Sequence, residues 1–174
     1  MRLFILAAIS ALLIGAAPAG AAEVPAHIGR HTSTPQDQRE NRQVVADFQT
    51  ALKTKDMRLL HSLMLNADID WVSPPPPEAI KKIRETLDPT ANGLSAGGFR
   101  GFARFIRESK VPVEERFYNL KITQDGHVAI VMFDYEFVED GKVWNYGIET
   151  WQMLKNVDGK WKIGSVWWTT NMMK

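Results

Sequence analysis

The 174-residue chain contains no cysteine. That excludes disulfides, thiolate metal sites and attachment to a lipid through cysteine, so stability must come from a packed core. It also has no charge excess: 21 basic and 20 acidic side chains give a formal net charge of +1. Without a basic stripe, nucleic acid is not an expected partner. The four histidines, His27, His31, His61 and His127, have no spacing suited to a metal site, and no cofactor is expected. Gly93, Gly97 and Gly98 follow a loop instead of a strand, so no phosphate-binding loop is predicted. Long apolar runs are scarce as well. The one from Leu3 to Ile14 is too short to span a bilayer comfortably. Arg2 precedes it and small residues from Ala19 to Ala22 follow, the layout of a cleavable export signal over residues 1–22. Cleavage after Ala21 or Ala22 would deliver a periplasmic or secreted protein with no further membrane segment. Removing Arg2 leaves 20 basic and 20 acidic groups.

What the chain does have is tryptophan: six in all, five of them between Trp144 and Trp168. Residues 23–40 are polar, with Pro25, Gly29 and Pro35, and read as a flexible arm. Residues 41–174 fit one domain. In Asn41 to Thr54, the positions Val44, Val45, Phe48, Ala51 and Leu52 recur at helical spacing. Asp56 caps a second helix, Met57 to Leu65. Ile69 to Ser73 is a short strand stopped by four prolines. Helices are expected again over Glu78 to Leu87 and Gly101 to Glu108. From Glu114 the period becomes two, with strands to Gln124, His127 to Val138, Val143 to Lys155 and Lys160 to Thr170. Their turns, Asp125-Gly126, Asp140-Gly141 and Asp158-Gly159, share one hairpin chemistry. Helices followed by an antiparallel meander imply an α+β fold.

The segments Asp70-Trp-Val-Ser73, Gly101 to Ile106, Asp125 to Ala129, Asp158 to Ile163 and Trp167-Trp168-Thr169 carry a resemblance. Together they are similar to the nuclear transport factor 2-like superfamily, and most to its SnoaL-like and kinase-association-type members. That resemblance covers Asn41 to Asn171. It implies a cone-shaped, cystatin-like fold with helices packed on a curved antiparallel sheet. It implies no particular activity, because that fold serves isomerases, dehydratases, transport factors and oligomerisation hubs.

Two-residue turns at Asp140-Gly141 and Asp158-Gly159 set an expected register, with Trp151 opposite Ile130 and Val166, and Glu149 opposite Met132 and Trp168. One face then collects Val128, Ile130, Met132, Asp134, Glu149, Trp151, Val166 and Trp168. The other collects Ala129, Val131, Phe133, Tyr135, Ile148, Trp161, Ile163 and Trp167. The resemblance implies that Asp134, Trp151 and Trp168 look into the cone and that the convex face forms a homodimer. The second face is too apolar to leave in water.

The expected pocket is therefore walled by Phe48, Trp71, Met132, Trp151 and Trp168, with Ser73 available to orient a ligand. Asp134 and Glu149 are either an acid–base pair with pKa raised by apolar surroundings, or ion-paired carboxylates at the rim. His61 on the second helix is a further candidate base, or a helix-face histidine. Ketosteroid isomerases of this fold use a tyrosine and two aspartates at positions that look like Phe48, Ser73 and Trp151, so that chemistry is not expected. The stretch between Ser73 and Gly101 is long enough to form a lid, with Ile80, Ile83 and Leu87 facing the pocket, or a static attachment. Three functions fit: a binder of a small apolar or aromatic ligand, a lyase or isomerase using Asp134 and Glu149, or a dimeric scaffold with a filled cone.

Overall fold

In the computed structural model, residues 24–30, 33–86, 88–91, 95–96 and 98–173 are described. The expected export signal and Leu87 lie outside them. Residues 1–30 and 31–174 form separate units. In the first, Ile28 N–H donates to the Pro25 carbonyl to close a turn.

Helix α1 spans Pro35–Thr54, starting six residues before the Asn41 start expected from its apolar periodicity. Thr34 and Asp37 form a reciprocal capping box and Pro35 sits in the first turn, a combination that nucleates a helix without any apolar residue. The early turns instead bury Asp37 and Asn41, so the arm expected over 23–40 gives way to helix from Pro35. Lys55 ends the helix in the left-handed region (φ 54°). Helix α2 (Met57–Leu63) follows its Asp56 cap, and β1 is Asp70–Ser73. Helix α3 (Pro77–Thr86) buries no side chain, and Ile80 and Ile83 are only half-buried. β2 is Ser95–Ala96 and α4 is Phe99–Glu108. The meander comprises β3 (Val113–Gln124), β4 (Val128–Glu139), β5 (Lys142–Lys155) and β6 (Trp161–Trp168); β7 is Asn171–Met172.

The sheet runs β2-β1-β6-β5-β4-β3, with β7 paired to β5. β1 lies parallel to β6, which makes the sheet mixed where a purely antiparallel one was expected. Two β-bulges decide which side chains face inward. The Asp140-Gly141 turn has both residues at positive φ (48° and 75°) and pairs Glu139 with Lys142 and Val138 with Val143, as expected. The next pair is Phe137 with Asn145, leaving Trp144 as an extra residue. Beyond it Trp151 faces Val131 and Glu149 faces Phe133, each one residue from the expected partner.

A one-residue slip turns every side chain of a strand to the opposite face. Ala129, Val131, Phe133, Tyr135 and Phe137 are accordingly buried, while Val128, Ile130 and Met132 are exposed on the convex face. On β6, pairing changes between Met153–Ile163 and Gln152–Ser165, with Gly164 as the extra residue. Trp161 and Ile163 therefore point inward, whereas Trp151–Val166 and Glu149–Trp168 keep the expected register.

The core is organised around Phe48 on α1, which is fully buried. Its ring lies 6.4 Å from Trp71, 6.3 Å from Phe102, 6.1 Å from Phe117 and 5.0 Å from Trp151. Phe133 meets Trp151 edge to face at 5.1 Å. The tryptophans thus divide: Trp71, Trp151 and Trp161 are core, while Trp144 and Trp167 are 56% and 53% exposed.

Candidate active or binding site in the cone

Between α4 and the concave face of the sheet lies a cavity of about 170 Å³. Its apolar walls are Trp71 from β1, Phe102 and Phe105 from α4, Phe137 from β4 and Trp168 from β6. The polar groups on it are Glu115 from β3, Tyr135 from β4, and Asn145 and Glu149 from β5. Strand parity explains this set. Glu149 and Trp151 are two apart on β5 and share a face, as do Tyr135 and Phe137 on β4 and Val113 and Glu115 on β3.

Glu149 accepts a hydrogen bond from Trp151 Nε1 at 2.5 Å. Burial pushes its carboxyl up to about 7, against the opposing pull of that indole donor. Glu115 is 7% exposed and its Oε2 has no hydrogen-bond partner among the described residues. Burial first, and then repulsion from Glu149, hold the Glu115 carboxyl well above the usual carboxylate range. The Tyr135 hydroxyl lies 2.9 Å from both Asn145 Oδ1 and the Thr169 carbonyl, so its single proton is shared between two acceptors. Burial raises its pKa too, with Glu149 and Glu115 adding to the shift, and it stays a neutral phenol. The cavity therefore holds two carboxyls, one of which can exchange a proton near neutrality.

Of the residues expected at the site, Trp71, Trp168 and Glu149 line this cavity. Trp151 is fully buried behind Glu149 and orients it, and Phe48 packs beneath as core. Ser73 is buried at the end of β1, 3.2 Å from Thr170 Oγ1. Three expected placements are corrected. Asp134 and Met132 lie on the convex face because the Trp144 bulge reverses β4, so Asp134 and Glu149 stand on opposite sides of the sheet. Asp134 accepts from Asn119 Nδ2 at 2.5 Å and borders a convex groove of about 640 Å³ with Tyr118, Tyr146 and Ile148. His61 is exposed on α2, edge-on to Phe99 at 5.0 Å, and does not line the cavity. Nor does any residue of α3, so the lid expected from Ile80 and Ile83 does not cover it.

The acid that sequence reasoning missed is Glu115. The one available clue was parity: in Val113-Glu-Glu115-Arg-Phe117, the residue sharing a face with Val and Phe is Glu115. Phe102 and Phe105 were expected on their helix but not assigned to a pocket.

The sequence matches no protein-family model and no curated protein. Solved structures do match its shape. A nuclear transport factor 2-like protein of unknown function from Shewanella baltica aligns with a TM-score of 0.56 at 16% identity, over 82% of this chain and 99% of that one. A putative scytalone dehydratase from Novosphingobium aromaticivorans gives 0.56 at 17% identity, over 79% and 85%. A cystatin-like-fold protein of unknown function from Nostoc punctiforme gives 0.55 at 13%, over 79% and 93%. The chain has the nuclear transport factor 2-like, cystatin-like α+β fold, its described residues forming four helices on a curved mixed sheet.

Proposed function

We propose that this is an exported small-molecule-binding domain whose cone takes a compact aromatic or apolar ligand. The observation that carries this is a cavity walled by five aromatic rings, with its few polar groups gathered on one side. Its volume of about 170 Å³ suits a ligand built on a single ring, since about 150 Å³ suffices to hold benzene. Native mass spectrometry of the purified protein tests the reading. A small molecule that co-purifies and is lost on Trp168→Ala supports it; a mass equal to the bare chain, with no quenching of tryptophan fluorescence across a library of aromatic fragments, favours a filled scaffold instead.

Proton transfer, as in a lyase or isomerase, is a second reading, and the observation favouring it is the Glu149 carboxyl raised to about 7. Glu115, not Asp134, is the partner the geometry supplies. One structural neighbour is a putative dehydratase. Exchange of a bound ligand's acidic C–H for deuterium, present in the native protein and absent in Glu149→Gln, separates catalysis from binding.

The convex face supports a homodimer. Ile130, Met132, Tyr146, Ile148 and Trp167 are all exposed on it, forming an apolar patch that a second copy would cover. Light scattering should give twice the chain mass, and Trp167→Lys with Ile148→Lys should reduce it to one; a monomeric native protein refutes the dimer.

A further inference from the structure

The polar groups of the cavity are unbalanced. Glu115 and Glu149 offer carboxyl oxygens, and among the described residues no Lys, Arg or His lines the space. The Tyr135 hydroxyl proton is already committed to Asn145 and the Thr169 carbonyl. One Glu149 oxygen is served by Trp151, but Glu115 Oε2 is buried with nothing among the described residues to accept from. A buried acceptor left unpaired costs free energy until a donor reaches it. The rings of Trp71, Trp168 and Phe102 line the same space, and aromatic faces attract a cation.

We infer that the cavity receives a compact organic cation, a primary or secondary ammonium on a small apolar body. It is seated between the Glu115 and Glu149 carboxylates, with its apolar part against the aromatic walls. An N–H is required, because a quaternary centre would leave Glu115 Oε2 without a donor. This inference rests on the small-molecule pocket proposed above and names the class of its ligand.

The charge balance gives the proposal its own signature. Within the cavity the titratable groups are the two acids themselves and Tyr135 from β4, beside Phe102 and Phe105 of α4 and Trp71 and Trp168 of β1 and β6; a groove that Glu115 also borders adds Lys53 from α1 and Glu114, Arg116 and Tyr118 from β3. With no cation present, burial beside Glu149 favours the protonated form of Glu115. An ammonium supplies the positive charge instead, so that proton leaves to solvent as the ligand binds.

Benzylamine and its neutral isostere benzyl alcohol are the probes, titrated calorimetrically into the purified protein at about pH 7.5, in two buffers of different ionisation enthalpy. Benzylamine should bind about tenfold or more tighter than benzyl alcohol, and release roughly one proton. Glu115→Gln should abolish the proton release and bring benzylamine down to the alcohol's affinity. Benzyl alcohol binding as tightly as benzylamine, or benzylamine binding without proton release, overturns the cation while leaving the pocket. Failure of both probes to bind overturns the pocket as well. Should Glu115→Gln not fold, the proton release of the unaltered protein still decides.

Discussion

Strand β5 carries one buried-acid site at its C-terminal end and another at its middle, and the two behave in opposite ways. At one end Lys155 Nζ bridges Asp37 Oδ1 at 2.8 Å and Glu40 Oε2 at 3.2 Å. Thr34 adds its hydroxyl and backbone N–H to Asp37. At the middle of the strand, six residues along the same face and roughly 20 Å away at the usual strand rise, Glu149 has one indole donor and, among the described residues, no cation. Asp37 and Glu149 are 5% and 4% exposed, but Glu149 lies deeper in the protein, and burial weighs far more on it than on Asp37. Hydrogen bonding to Lys155, and then to Thr34, draws Asp37 down to about 2, while burial drives Glu149 up to about 7. What separates them is the counter-charge together with the depth of burial. One site is a completed ion pair that ties α1 to the sheet; the other is left short of positive charge on the wall of a cavity.

The signs of the pH dependence follow. Asp37 binds fewer protons folded than unfolded, so its stabilisation is present above its ordinary value of 3.8 and is lost as pH falls through about 2. Glu149 binds more protons folded than unfolded between its ordinary 4.5 and about 7, so stability declines as pH rises through that window. The largest test acts on the second. Glu149→Gln keeps an acceptor for the Trp151 indole but removes the charge. It should gain about 3 kcal/mol over the native protein at about pH 8 and almost nothing at about pH 4.5. Urea denaturation at both pH values measures this; a gain of equal size at both would mean that charge burial is not the cause.

The sites were not equally legible in the sequence. The α1 stripe from Val44 to Leu52, the Asp56 cap and the three Asp-Gly turns each rest on local chemistry, and the elements form where that chemistry puts them. Inward and outward faces rest on counting, and each bulge changes the count by one. β4 could not reveal the error, because Val128, Ile130 and Met132 are as apolar as the Ala129, Val131 and Phe133 that the core actually takes. With both faces apolar, Asp134 was assigned a pocket that belongs to Glu115. Trp151, Trp168 and Glu149 were placed correctly because the Gly164 bulge lies between them and the Asp158-Gly159 turn and restores the register assumed there. The Lys155 clamp was invisible for a different reason. It joins residues 118 apart in sequence, and its helical half begins in the polar stretch before the periodicity starts.

A smaller change sharpens the cavity side of the comparison. Trp151→Phe retains most of the ring contacts with Phe48 and Phe133 but deletes the indole N–H that donates to Glu149. The Glu149 titration midpoint should climb by about one unit, equivalent to about 1.4 kcal/mol at alkaline pH. Side-chain carboxyl NMR shifts followed across the titration read this directly. An unmoved midpoint would show that the indole does not hold the carboxylate.

The smallest expected effect comes from the clamp. Lys155→Met removes the cation but leaves Asp37 in the capping box, with the Thr34 hydroxyl and N–H still donating to it. Asp37 should therefore move only part of the way from about 2 toward 3.8, and the acid unfolding limb should shift to higher pH. Partial exposure of Lys155 lets salt screen the pair and keeps the loss at neutral pH below the Glu149→Gln gain. Combining Lys155→Met with Thr34→Ala removes both the cation and the hydroxyl and leaves only the backbone N–H at position 34 donating to Asp37. Its carboxyl should then rise further toward 3.8, in the direction Glu149 already takes. An Asp37 that stayed near 2 in the double variant would show that the counter-charge is not what holds it there.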